Sequence, residues 1–136
     1  MISLVIFITV IIYLSVEISD VIPQHHQSNI ENRIYNNAMR ASEILIKDDV
    51  NGLVFSPYNF SLSKMINFNN SCNNDYENLK RNISLSGRDF QLKMYVNNTF
   101  NFICGMKHIP QGISTVSLMR NGLTNGEITS IELIVW

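Results

Sequence analysis

The chain has 136 residues, with ten Lys and Arg against eleven Asp and Glu and a formal charge of -1. That length allows one domain core, burying roughly two-thirds of the unfolded surface, and the balanced charge excludes a basic footprint for nucleic acid or an anionic membrane. Asparagine occurs eighteen times, yet aromatic and β-branched residues lie among the asparagines along the whole length, as in a foldable chain rather than a disordered one.

Residues 1–16, MISLVIFITVIIYLSV, carry no charged side chain. The run is short of the roughly 20 residues that span a bilayer, and acidic Glu17 and Asp20 follow it in place of a basic stop-transfer cluster. It reads as a secretory signal over 1–19, cleaved near Ser15 or Ser19; an uncleaved signal anchor is the second reading and a buried strand the third. A secreted, extracellular protein meets an oxidising lumen. There Cys72 and Cys104, the only cysteines, are candidates for a disulfide worth about 3–4 kcal/mol. Two isolated cysteines without histidines at ligand spacing are no zinc signal. The Asn-x-Ser/Thr sequons at Asn59, Asn69, Asn82 and Asn97 are acceptors for N-glycans where exposed.

Residues 20–29 read as an exposed entry segment with Pro23 and the doublet His25 and His26, which has no Cys or carboxylate at ligand spacing and reads as solvated loop. From Ile30 the spacing of Ile30, Ile34, Ala38, Ala41 and Leu45 predicts an amphipathic helix ending near Lys47, with Ser28 or Asn29 as cap and Glu31 in the first turn. Residues 48–52 form a turn around Asn51-Gly52. Leu53, Val54 and Phe55 are strand formers, and Ser56 followed by Pro57 reads as the cap and first position of a helix reaching Phe68. Tyr58, Phe60, Leu62, Met65, Ile66 and Phe68 surround most of that helix, which marks it as an interior element, and small Ser61 and Ser63 would let neighbours approach.

Residues 69–75 break the pattern, and 75–85 read as a short helix with Tyr76, Leu79, Ile83 and Leu85 on one side, stopped at Ser86 and Gly87. From Phe90 the period becomes two: Phe90, Leu92, Met94 and Val96, resumed at Phe100, Phe102 and Cys104, predict a strand or two runs of one strand broken at Asn97-Asn98. Pro110 and Gly112 mark a turn, 113–119 fit either state, and 120–127 hold two turn points. The last nine residues alternate loosely and end on an exposed Trp136.

No catalytic constellation is legible. No Ser lies in a G-x-S-x-G turn, neither cysteine has a nucleophile signature, and His108 has no sequence partner, so an enzyme is not expected. Neither a phosphate-cradling glycine loop nor histidines paired at helical spacing occur, and no cofactor or metal is expected.

The order of elements resembles the N-terminal part of the serpin family of protease inhibitors. Leu53, Val54, Phe55, Ser56, Pro57, Ser61 and Ser63 are similar to the family's vFSP-x-S-x-S junction, with Asn59 at a usually small or aliphatic position. Residues 69–85 look like the next connection and helix, with Cys72, Asn73 and Asn74 where glycine and threonine are usual. FQLKMYVNNTF resembles the stretch leading into a strand of the central sheet, matching at Val96, Asn97 and Phe100. The resemblance implies that Asn97 is a buried structural amide with a silent sequon. RNGLTNGEITSI is similar to a further family segment at Thr124, Gly126 and Ile128, without its tryptophan and too early in the chain. The Asn-rich composition is similar to that of secreted serpins of large DNA viruses, poxviruses among them.

The resemblance implies an α+β fold, an incomplete N-terminal fragment of a serpin-like fold with helices packed on part of an antiparallel sheet. Residues 30–131 would be a truncated serpin-like domain and 132–136 a divergent tail. Serpins trap serine or cysteine proteases by inserting a cleaved reactive-centre loop as a new strand into the sheet. That loop and its acceptor strands are expected to be missing here, which implies a family member that is not itself inhibitory. The helix over 58–68 would then be half uncovered, and the strand from Phe90 would have unpaired edges, with self-association as a consequence. The competing reading is a small secreted or signal-anchored binding module acting through that exposed apolar helix face.

Overall fold

The computed structural model of the chain describes residues 2–47, 49 and 51–136, with side chains for 6–13, 28–47, 49 and 51–136. The elements run α1 (Ile2–Leu45), β1 (Val54–Ser56), β2 (Asn59–Phe60), α2 (Leu62–Asn74), α3 (Tyr76–Asn82), β3 (Phe90–Val96), β4 (Thr99–Gly105), β5 (Val116–Thr124) and β6 (Glu127–Val135). One sheet in the order β1-β2-β5-β6-β3-β4 holds the strands. All its pairings are antiparallel except the parallel contact of Asn59 with Leu123 between β2 and β5. The fold class is α+β.

Two compact units divide the chain at Arg33. In the first, the backbone is helical from Ile2 onward, through the stretch expected to be an entry loop. The chain has no glycine before Gly52 and only Pro23 as a helix breaker in that stretch, too little to end the helix. Ile6, Phe7 and Tyr13 are exposed. Among the described residues no helix is long and apolar enough to cross a membrane. The side chains of His25 and His26 lie outside the described residues.

The second unit, Ile34–Trp136, holds the core. Ile34, Ala38, Ala41 and Leu45 are buried, four of the five positions that the helical spacing singles out; the first, Ile30, is exposed. The inward rows of β3 (Phe90, Leu92, Met94) and β6 (Ile131, Leu133, Val135) are buried with it. Met65 and Phe68 of α2 and Leu79 of α3 close the core. On the other sheet face Lys93 Nζ lies 3.2 Å from Glu132 Oε2, and Ser117 Oγ donates to Glu132 Oε1 at 3.0 Å.

Several expectations are corrected. The helix expected to open at Ser56-Pro57 begins at Leu62, and its cap is Ser61, whose Oγ accepts from the Lys64 amide at 3.4 Å. Between them Pro57 and Tyr58 form a tight turn with Tyr58 at φ 63, outside the helical region, and the chain returns as β2 to pair Phe60 with Val54. α2 is therefore amphipathic, with Met65 and Phe68 buried and Leu62 and Ile66 exposed, rather than an interior helix.

The alternating run from Phe90 is a hairpin, not one strand. Asn97 and Asn98 take φ 48 and 62, the left-handed pair that suits a two-residue turn between twisted strands. β3 is consequently paired on both edges, by β4 and β6, and β4 and β1 are the outer strands. Of the two turn points in 120–127, Asn125-Gly126 turns while Asn121-Gly122 lies inside β5. Residues 132–135 end β6, which sits between β5 and β3, and Trp136, expected to be exposed, is buried.

Candidate functional site

Cys72, near the end of α2, and Cys104, on edge strand β4, form a disulfide with Cα atoms 5.7 Å apart. Cys104 is buried among core residues and Cys72 packs against them, so the bridge clamps α2 onto the strand. Nearby, α3 is tied to the start of β3. The Tyr76 hydroxyl donates to the Phe90 carbonyl at 3.2 Å and accepts from the Phe90 amide at 3.1 Å, and the two rings stack at 5.2 Å. Lys80 Nζ lies 2.8 Å from Glu77 Oε1, 3.1 Å from Asp89 Oδ1 and 5.1 Å from the Tyr76 ring centroid. The hydrogen bond to Glu77 is the main reason the Lys80 pKa is raised. Burial raises that of Tyr76. This cluster is scaffold: its polar groups bond one another or the Phe90 backbone, with Glu77 on the solvent side.

The sequon asparagines differ in setting. Asn82, the last residue of α3, and Asn97, at the β3–β4 turn, are exposed. Asn69 is half-buried within α2, and Asn59 Nδ2 donates to Ser56 Oγ at 3.0 Å. The amide expected to be buried at Asn97 is thus on the surface, because its left-handed backbone places it at a hairpin tip. Phe100 is likewise exposed, in edge contact with Tyr95 at 6.0 Å.

Among the other residues of the resemblance, Phe55 is exposed on β1, Pro57 opens the turn, and Gly126 (φ 86) closes the β5–β6 hairpin. Thr124 is buried and its Oγ1 accepts from Thr129 Oγ1 at 2.8 Å. The Asn97 amide donates to the Ile128 carbonyl at 2.8 Å, which brings the Asn97 and Gly126 turns to one end of the sheet. The Ser56-Pro57 turn is held at the same end, on the other edge of β5: the Leu123 amide, opposite Ile128, donates to the Tyr58 carbonyl at 2.8 Å.

One arrangement was not foreseen from the sequence. Between Ile46 after α1, the β1–β2 hairpin and β5 lies a cavity of about 490 Å³, with Val54, Tyr58 and Phe60 on its walls and Arg120 and Asn121 at one side. Arg120 Nε donates to Ser42 Oγ at 2.7 Å, and Ser42 is buried within α1. The available signal was phase: once 116–124 is a strand, Arg120 falls on the same row as Val116 and Leu118. Among the described residues no three His, Cys, Asp or Glu side chains gather as a metal site.

Comparison with family models, with curated proteins and with solved structures finds no match to this chain.

Proposed function

We propose that the chain is a secreted, disulfide-bonded α+β module that acts by binding, on a scaffold related to the N-terminal part of serpins, and that it does not itself trap a protease. The observation that carries this reading is the bridge between Cys72 and Cys104, which joins a helix to an edge strand as a protein matured in an oxidising compartment can. Trapping by loop insertion needs two strands that part to admit a third. Here β6 and β3 are each hydrogen-bonded along both edges, with antiparallel partners, and a new strand anywhere between β5 and β4 would have to break such a ladder. Incubation of the secreted protein with serine and cysteine proteases is expected to yield no SDS-stable adduct; such an adduct overturns the reading.

A specific observation favours the apolar helix as the binding face. Leu62 and Ile66, one turn apart on α2, are 47% and 52% exposed while Met65 and Phe68 behind them are buried. Replacing both by Lys is expected to abolish self-association in sedimentation experiments and to leave the unfolding midpoint unchanged. Association that survives the double substitution rules out this face.

A further inference from the structure

The inward row of β5 runs Val116, Leu118, Arg120, Gly122, Thr124, opposite Val135, Leu133, Ile131, Thr129 and Glu127 of β6. A guanidinium thus takes a core-facing position beside Ile131. Half-burying that charge is costly unless something compensates it. Ser42 satisfies Nε, but none of the ion pairs among the described residues includes Arg120. With Nε engaged, the Nη donors are what Arg120 brings to the cavity of about 490 Å³ that it lines. Cavities of roughly 300–1,000 Å³ with apolar walls and few polar groups are the usual form of a small-molecule site. The apolar walls here are Ile46, Val54, Pro57, Tyr58 and Phe60, and Ser56 and Asn121 are the polar residues that line it beside Arg120.

We propose that this cavity binds a small amphipathic carboxylate, of the medium-chain fatty acid or aryl carboxylate class. The carboxylate pairs with the planar fork of Arg120, which Ser42 holds in place, and the hydrocarbon part lies against the apolar walls. Gly122 contributes by absence: a side chain there would collide with Tyr58 and Phe60, so the hairpin wall could not approach β5 as it does. The cavity lies apart from the exposed Leu62 and Ile66 of α2, neither of which lines it.

Titration calorimetry on the full chain with octanoate and with octanol tests it. Octanoate is expected to bind saturably and about tenfold or more tighter than octanol, the difference a charge-assisted pair confers, and to weaken as salt is added. Arg120→Gln is expected to remove the preference while octanol binding persists. Ile46→Trp, at the cavity's rim, is expected to block both. Should the Arg120 variant fail to fold, the comparison of the two ligands on the unaltered protein still decides. No saturable octanoate binding, equal affinity for the two ligands, or octanoate binding untouched by Ile46→Trp overturns the proposal.

Discussion

The main chains of Trp136 and Asp89 exchange two hydrogen bonds, Trp136 N to Asp89 O at 3.1 Å and Asp89 N to Trp136 O at 3.2 Å. Asp89 also turns its carboxylate to Lys80 of α3, so a single residue ties the end of the central strand to the helix beside it. With Trp136 7% exposed, Trp136→Ala removes a large buried ring at that junction, and a loss of about 3 kcal/mol is expected in urea unfolding. A loss below about 1 kcal/mol, typical of a surface site, would contradict the placement of 132–136 in the core.

The same junction makes stability depend on alkaline pH. Lys80 has a pKa raised above 10.5, first by its hydrogen bond to Glu77. Tyr76 has one raised above 10.0, first by burial. In both cases folding favours the protonated form, so the contribution is complete below the unfolded pKa and is lost as pH rises through the higher folded value. Stability is expected to be level from neutrality to about pH 10 and to fall beyond it. Tyr76→Phe, which strips the Phe90 amide of its partner while the Phe90 carbonyl keeps the Met106 amide, should cost about 1–3 kcal/mol at neutral pH. Lys80→Met should cost about 1 kcal/mol, since Glu77 stays solvated. The alkaline fall should shrink in the double variant; an undiminished fall assigns it to other groups.

Replacing Cys72 and Cys104 together by Ala should lower stability by about 3–4 kcal/mol, because the bridge closes a loop of 32 residues' separation in the unfolded chain. The check is urea unfolding of the variant beside the oxidised protein. Mobility under non-reducing conditions should distinguish the compact bridged chain from the reduced one; identical mobility and unfolding would mean that the bridge does not form.

Much of the scaffold could be read from spacing alone. The stripe Ile34, Ala38, Ala41, Leu45 and the row Phe90, Leu92, Met94 are core because the periods of 3.6 and 2 mark one face each, whatever those faces meet. The failures share another cause: they turned on local punctuation that only pairing resolves. Ser56 and Ser61 are equally good caps by residue type, and what decides between them is that Phe60 pairs with Val54 and packs by Gly122. Asn121-Gly122 and Asn125-Gly126 are identical dipeptides, yet only the second turns, because Gly122 is drawn into β5 opposite Thr129. Arg120 was invisible as a site residue for a related reason. Its significance lies in the phase of a strand whose existence the sequence left undecided, and in Ser42, 78 positions away.

Glycan occupancy follows exposure. On expression through a eukaryotic secretory pathway, Asn82 and Asn97 are expected to carry glycan, and Asn59 and Asn69, one bonded to Ser56 and one half-buried in α2, to carry less. Peptide mass spectrometry after enzymatic deglycosylation reads this site by site. An unmodified Asn97 beside a modified Asn69 would reverse the order that exposure sets.

Gly122 and Gly126 separate two reasons for glycine in one hairpin. A Cβ on Gly122 would lie 2.5 Å from the Tyr58 carbonyl oxygen and 2.7 and 3.0 Å from Phe60 ring atoms. The ring can give way but the carbonyl cannot without breaking its bond to the Leu123 amide, so Gly122→Ala should detach β2 from β5 and cost about 2 kcal/mol or more. At Gly126 nothing lies within 4 Å of such an atom, and the obstacle is φ 86 alone, worth about 1–2 kcal/mol on replacement by Ala. Trimming Phe60 to Leu in the Gly122→Ala background should recover only part of the loss, because the carbonyl clash remains, while Gly126→Asn should recover most of its own, Asn tolerating the left-handed region. Amide exchange at Leu123 discriminates the two: it should rise sharply for Gly122→Ala, whose damage is local to the β2 contact, and follow only the global loss of stability for Gly126→Ala.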